Sequence, residues 1–255
     1  MIDIHSHILP ARDDGAESTV QAIEMAKQAQ AQGIDTMVAT PHHGNEHYTN
    51  VKEDIIRETK KLNQILQEQQ INVTVVPGQE VRLYGEIVND LHNGEILTLN
   101  DSDYLLVELP SDQVPAYTSR VFYDLQLAGI RPIIAHPERN REIASNPDKL
   151  YELIKNGSFA QLTATSLIGN FGKKIKKLSE QLIDHQLIHF IASDTHNTTT
   201  RRNDLLAAYD VVEKEFGIQM KYILQENSEL VLNGETVFAE PPSRIKRKKI
   251  LGIFS

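Results

Sequence analysis

The sequence predicts a parallel α/β fold, and three observations carry that expectation. Short β-rich runs alternate with longer helical patterns about seven times along the 255 residues, the signature of parallel βα units. Helical patterns stop at Gly33 and Gly129, residues suited to the left-handed turn that ends a helix. Histidines and carboxylates recur where β runs end, the edge at which βα folds gather their sites.

The elements follow in order. A first β run covers residues 2–5, and helical spacing of Val20, Ile23, Ala26 and Ala29 leads to Gly33. The second run, 36–40, precedes a helix marked by Val51, Ile55, Thr59, Leu62 and Leu66. Runs at 73–77 and 104–109 come next, then Val121, Leu125 and Ala128 ahead of Gly129. The fifth run is 131–135, and Asn146-Pro147 opens a helix with a capping residue and a first-turn proline. Runs at 160–165 and 189–192 complete the set. Such a sheet is either open and doubly wound or closed into a barrel. No glycine-rich loop follows the first run, which argues against a dinucleotide-binding fold. With no repeat, linker or low-complexity segment, residues 1–242 read as a single domain ending near Pro241-Pro242, and 243–255 as a basic and apolar tail.

Composition narrows the chemistry. There is no cysteine, so disulfides, thiolate-bound zinc and a thiolate nucleophile are excluded. The formal net charge is −9, although Arg244, Lys246, Arg247, Lys248 and Lys249 form a basic run. Setting those five aside leaves 21 of the 26 basic residues against 35 acidic ones. An acidic body speaks against a nucleic-acid partner, which needs a basic face. No apolar run approaches the roughly 20 residues of a membrane span, and no basic region with an apolar stretch opens the chain. A cytoplasmic protein is the expectation.

The ionisable residues carry the functional reading. His5 and His7 end the first run, His42 and His43 follow the second, and Glu80 follows the third. Glu108 and His136 end the fourth and fifth, while Asp194 and His196 follow the last. One such residue solvates a turn; six strands delivering them to one edge is a different matter. His5-x-His7 and Asp194-x-His196 put two side chains on one strand face, fit to hold one ion. Asp13-Asp14-Gly15 is turn chemistry by itself and adds Asp14 to the set. Nine donors (His5, His7, Asp14, His42, Glu80, Glu108, His136, Asp194 and His196) exceed the needs of one ion and suit two or three, with a bridging carboxylate. An all-nitrogen-and-oxygen set fits Mn²⁺, Fe or Zn²⁺. Arg139 and Arg201 follow His136 and His196 closely. Most arginines are surface ion pairs, but a guanidinium fork beside clustered metals matches phosphate and suggests phosphoester hydrolysis.

At these residues the chain resembles the polymerase and histidinol phosphatase (PHP) superfamily. The motifs are Ile4-His5-Ser6-His7, Asp13-Asp14-Gly15, Ala39-Thr40-Pro41-His42-His43, Gly78-Gln79-Glu80-Val81, Glu108-Leu109-Pro110, Ala135-His136-Pro137-Glu138-Arg139 and Ser193-Asp194-Thr195-His196-Asn197. Within it, the chain most resembles manganese-dependent protein tyrosine phosphatases of bacterial capsule and exopolysaccharide loci. The resemblance implies a distorted (β/α)₇ TIM-like barrel with its metal site at the C-terminal strand ends. It implies a three-metal, Mn²⁺-preferring site: His5, His7, Glu80 and Asp194 on the first ion, Glu80 bridging to a second with Glu108 and His136, and Asp14, His42 and His196 on the third. Arg139 and Arg201 match the phosphate-binding positions. The implied substrate is the phosphotyrosine tail of a partner bacterial tyrosine kinase, attacked directly by metal-activated water.

Two other readings compete: a small-molecule phosphatase such as histidinol-phosphate phosphatase (or a DNA-processing nuclease), and a non-catalytic metal-binding regulator of a kinase. A complete ligand set argues against the regulator, the acidic body against the nuclease. His43 and His47 read as loop residues, His92, His185 and His189 as structural. Tyr48 and Phe171 are candidates to pack on a substrate phenyl ring. The basic run and Ile250-Leu251-Gly252-Ile253-Phe254 read as a solvated end with an apolar cap, or as a contact to an anionic membrane or the kinase.

Overall fold

Two strands break in mid-course, and those breaks organise the architecture of the computed structural model, which describes residues 1–245. Strand β1 (Ile2–Ser6) pairs in parallel with β2 (Thr36–Ala39). At Thr40-Pro41 the chain steps and resumes as β3 (His42–His43). A matching step at Gly78-Gln79 divides β4 (Thr74–Pro77) from β5 (Glu80–Arg82). The remaining strands are β6 (Tyr104–Glu108), β7 (Arg131–Ala135), β8 (Phe159–Thr163) and β9 (Phe190–Ala192). They form a three-stranded sheet, β1-β2-β4, and a six-stranded sheet, β3-β5-β6-β7-β8-β9. Every pairing is parallel.

The sequence predicts seven continuous strands; β3 and β5 are two segments it does not separate. Proline lacks an N–H, so Pro41 cannot continue the β2 ladder. At Gly78 a Cβ would lie 2.8 Å from Val38 Cγ1 and 3.0 Å from Leu99 Cδ2. Only glycine permits that approach. Buried Gln79 holds the step by donating to the Asn50 carbonyl at 2.7 Å. An isolated parallel bridge joins Ser6 of β1 to Thr195, in the segment that follows β9. There, Asp194 N–H donates to the His5 carbonyl and His7 N–H to the Thr195 carbonyl, each at 2.9 Å.

The helices are α1 (Thr19–Ala31), α2 (Lys52–Glu68), α3 (Ile87–His92), α4 (Thr118–Leu127), α5 (Arg141–Ser145), α6 (Asp148–Lys155), α7 (Ala164–Ile168), α8 (Lys173–Asp184), α9 (Leu205–Phe216) and α10 (Ile218–Leu232). Helix α2 buries Ile55, Thr59, Leu62 and Leu66, as its spacing predicts. Helix α1 buries Ala26 and Ala29 of the expected stripe and packs Ile23 partly against the core, but Ala22 and Met25 complete the buried face and Val20 is 71% exposed. The small alanines let that face lie close. Gly33 and Gly129 adopt φ of 77° and 82° just beyond α1 and α4, as a left-handed helix end requires.

Strand residues alternate between two buried clusters, as the two-residue period demands. Leu105, Val107, Ile134 and Leu162 pack with the helices. Ile4, Val38, Leu106, Ile133 and Phe190 form the other cluster, joined by Val231 and Val237. The chain after α10 covers the start of β6, where Tyr104 donates to the Glu235 carbonyl at 2.7 Å.

Of the tail, Ser243 N–H donates to the His185 carbonyl at 3.0 Å. Arg244 pairs with Asp148 at 3.0 Å and with Glu152, and lies over the Tyr151 ring at 4.3 Å. The basic residues Lys246 to Lys249 and the apolar residues 250–254 lie outside the described residues. No helix among the described residues is long and apolar enough to cross a membrane.

Candidate metal centre

All nine candidate ligands meet at the C-terminal ends of the strands. His5 Nε2 lies 3.2 Å from His7 Nε2. Glu80 Oε2 is 3.4 Å from both, and Asp194 Oδ1 is 3.5 Å from His5 and 3.3 Å from His7. Alternation along β1 explains the first pair, because residues two apart share a face. Glu80 uses both oxygens: Oε1 accepts from His136 Nε2 at 2.8 Å, and Oε2 lies 2.9 Å from His42 Nδ1. Glu108 Oε2 stands 3.9 Å from His42 Nδ1. Asp14 Oδ1 lies 3.3 Å from His42 Nε2 and 3.4 Å from His196 Nε2. Three groups satisfy the spacing of a shared cation: His7, Asp14, His42 and His196; His5, His7 and Glu80; and His42, Glu80 and Glu108.

Backbone conformation reinforces the convergence. His136 and Asp194 adopt φ of 33° and 53°, a left-handed region costly for residues with a Cβ and common at functional sites. Both stand just beyond strands, where the turn swings their side chains toward the centre.

The electrostatics are those of an acidic cage. Burial opposes ionisation of Glu80, yet His5, His42 and His136 hold it well below the usual carboxylate range. Burial likewise opposes charge on Asp194, overcome by His5, His7, Arg139 and His196. Glu108 is pushed up to about 7 by burial and by Glu80, with Arg82 opposing. Burial works against a charged His42, but Glu80 and Asp14 raise it to about 10. Burial, with Arg139 beside the first and His7 beside the second, lowers His136 and His196 to about 4. Glu80 and Asp14 thus concentrate negative field at His42, and cation binding releases protons from such ligands.

The site fits a metal on a structural criterion. His42 Nδ1, Glu80 Oε2, Glu108 Oε2, Asp194 Oδ1 and His196 Nε2 are buried and make no hydrogen bond. Buried polar atoms normally find partners, and five unmet donor-set atoms in one place call for a cation. His5, His7 and His196 all spend Nδ1–H elsewhere, on Gln161 Oε1 at 2.9 Å, Asp13 Oδ2 at 2.6 Å and the Asp194 carbonyl at 2.9 Å. Each thereby presents Nε2 inward, the arrangement usual for metal-bound imidazoles.

Arg139 and Arg201 flank this cluster. Arg139 stands in the 3-10 turn Pro137–Arg139, donates to Asp194 Oδ2 and lies over Phe171 at 5.5 Å. Arg201 Nη2 donates to the same oxygen at 3.1 Å, with Nη1 3.5 Å from Asp14 Oδ2. Tyr48 stacks on His42 at 6.1 Å. His43 turns away, donating to the Asn50 carbonyl at 2.7 Å. His47 borders an open cleft of about 450 Å³ shared with Arg82 and Asp112.

Three contributors escape the sequence reading. Asp13 supports His7, Gln161 supports His5, and Arg82 pairs with Glu108 at 3.3 Å. For Arg82 a signal existed: it lies two residues after Glu80 on β5 and therefore on the same face. Gln161 belongs to a strand rich in polar residues but devoid of ligands, which hides its part.

In class, this is a parallel α/β protein with an all-nitrogen-and-oxygen cluster able to hold cations at its strand ends and two arginines beside it. The chain belongs to the CpsB/CapC family of capsular polysaccharide synthesis, whose model matches residues 1–233. It is 50% identical over 254 residues to the tyrosine-protein phosphatase YwqE of Bacillus subtilis (strain 168), covering 100% of both chains. The tyrosine-protein phosphatase CpsB of Streptococcus pneumoniae is 31% identical over 222 residues, 85% of this chain and 91% of that one. Crystal structures of YwqE and CpsB describe both as metal-dependent tyrosine phosphatases. A chain from that work matches with a TM-score of 0.95 at 50% identity, over 97% of this chain and 100% of its own.

Proposed function

We propose that this chain is a metal-dependent tyrosine-protein phosphatase of capsule or exopolysaccharide synthesis, acting on the phosphotyrosine tail of a cognate bacterial tyrosine kinase in the cytoplasm. One observation carries the reading: nine converging nitrogen and oxygen donors, five of them with unmet buried atoms, beside two arginines in a chain without cysteine. The family and its named phosphatases support it. The two sheets read best as one distorted (β/α)₇ barrel, an assignment supported by the Ser6–Thr195 bridge from β1 to the segment just after β9.

His5, His7, Glu80 and Asp194 would hold one ion, Glu80, Glu108 and His136 a second, and Asp14, His42 and His196 a third. Glu80 Oε1 faces His136 while Oε2 faces His5 and His7, which supports its bridging role. Mn²⁺ suits so mixed a set of imidazoles and carboxylates. When bound, such ions supply Lewis acidity, activating water and neutralising phosphoryl charge.

The chain's own residues do the rest. Arg139 and Arg201 anchor on Asp194 and offer their remaining N–H donors to phosphoryl oxygens. Phe171 beneath Arg139 fixes the plane of that fork. Tyr48, stacked on His42, offers an aromatic face for the substrate phenol. With no thiolate in the chain, hydrolysis proceeds without a phosphocysteine. The test is chelation: a phosphotyrosine peptide should be stable to the chelated protein and hydrolysed again once Mn²⁺ is returned. Full activity in metal-free protein would refute the reading.

A further inference from the structure

Asp14 is the residue of the Asp13-Asp14-Gly15 motif that reaches the cluster, yet its neighbour is the better connected. The Asp13 side chain is 1% exposed. Its Oδ2 accepts from His7 Nδ1 at 2.6 Å and from the His42 backbone N–H at 3.0 Å. Its Oδ1 accepts from the Gly15 N–H at 2.9 Å. One carboxylate therefore ties together three segments distant in sequence: the end of β1, the loop bearing Asp14, and the step into β3 that bears His42.

We infer that Asp13 is a positioning residue that sets the His7 tautomer and holds the Asp14 loop and His42 in register for cation binding. Both oxygens act only as acceptors, toward three N–H donors, a pattern that an ionised carboxylate satisfies and an amide cannot. With Nδ1–H given to Asp13, His7 presents the Nε2 lone pair beside His5, Glu80 and Asp194. The loop has no freedom to adapt. A Cβ on Gly15 would lie 2.2 Å from the His7 carbonyl oxygen and 2.4 Å from His7 Cβ, so backbone presses on backbone there. Asn50 closes the same joint, its Nδ2 donating to the Arg12 carbonyl at 3.0 Å and the His42 carbonyl at 2.8 Å. Asp13 touches three of the four residues in the largest candidate ligand group, by side chain, by backbone or through the adjoining residue. A turn aspartate needs only its own loop N–H; the contacts to His7 and His42 exceed that role.

The inference rests on the metal-centre reading, and its test separates the two. Metal-stripped wild-type, Asp13→Asn and Asp13→Glu proteins are titrated with Mn²⁺ by calorimetry, and Tm is recorded with and without Mn²⁺. Asp13→Asn turns one acceptor into a donor facing an N–H, or forces His7 into the tautomer whose Nε2 bears the proton. Its Mn²⁺ affinity should fall by about 10- to 100-fold, the usual effect of losing a ligand's supporting partner. Asp13→Glu, which keeps the charge but moves it, should fall between. The metal-free Tm of at least one variant should stay near wild type, while the gain in Tm on adding Mn²⁺ shrinks. Excess Mn²⁺ should restore kcat toward wild type. Wild-type Mn²⁺ affinity in Asp13→Asn would overturn the inference, as would collapse of both variants without metal, which would mark Asp13 as a plain folding residue. A wild-type protein that bound no Mn²⁺ would instead overturn the metal-centre reading itself.

Discussion

Arg139 offers a quantitative test of how phosphate is held. Its guanidinium donates to Asp194 and lies 5.5 Å over Phe171, and among the described residues it has no other hydrogen-bond acceptor. The fork is therefore fixed while several donors stay available. Losing a charge-assisted contact to phosphoryl oxygen at a preorganised site costs about 2–4 kcal/mol. Arg139→Ala should lower kcat/KM on a phosphotyrosine peptide by about 30- to 1,000-fold. Metal content should persist, because Arg201 still neutralises Asp194 from 3.1 Å. Arg201→Ala should behave alike. The double variant should lose less than the product of the two, since both arginines share Asp194 Oδ2. Arg139→Lys keeps charge without the fork and should recover only part of the loss. The assay is steady-state kinetics beside metal analysis of each preparation. Unchanged kcat/KM in both alanine variants would refute the phosphate-binding assignment.

Two predictions concern the scaffold. His189 is buried, with Nδ1 accepting from the Ala160 N–H at 3.2 Å, and burial lowers its pKa to about 4. Below about 6.5 the unfolded chain takes up a proton that the folded chain refuses, so the stabilisation is complete above that pH and lost as pH falls toward 4. Urea unfolding should show wild type losing about 1.5 kcal/mol more than His189→Gln between pH 6.5 and 5; parallel losses would show that His189 does not titrate this way. Gly78→Ala should lower Tm by about 2–12 °C, because the added methyl meets buried Val38 and Leu99 at the strand step and overpacking costs about 1–3 kcal/mol. An unchanged Tm would mean the step is free to shift.

Much of this architecture is legible in the residues themselves. Each of the seven β runs contains an observed strand, because β-rich composition and the punctuation at Gly33 and Gly129 are local properties. His5 and Glu108 reach one edge because they lie at the ends of strands of a parallel set, whereas Asp194 reaches it through the left-handed turn after β9. The steps at Thr40-Pro41 and Gly78-Gln79 are not local. Gly78 is required by Val38 and Leu99, far from it in the chain, and no window around it shows that. On α1 only Val20 departs from the expected stripe: it is more apolar than Ala22, yet Ala22 is the residue that meets the core. Supporting groups were the hardest to see. Gln161 matters because its strand passes beneath His5, a pairing 156 residues apart.

Substrate class tests the proposed activity most directly. Catalytic efficiency should be measured for one Mn²⁺-loaded preparation on a phosphotyrosine peptide, the matched phosphoserine peptide and histidinol phosphate. The phenol is the better leaving group and carries its phosphate farther from the peptide backbone. Phosphotyrosine should be hydrolysed at least about tenfold faster than phosphoserine, some 1.4 kcal/mol in barrier, with little turnover of histidinol phosphate. A preference for histidinol phosphate would contradict the assignment and leave a metal centre serving a small-molecule phosphatase.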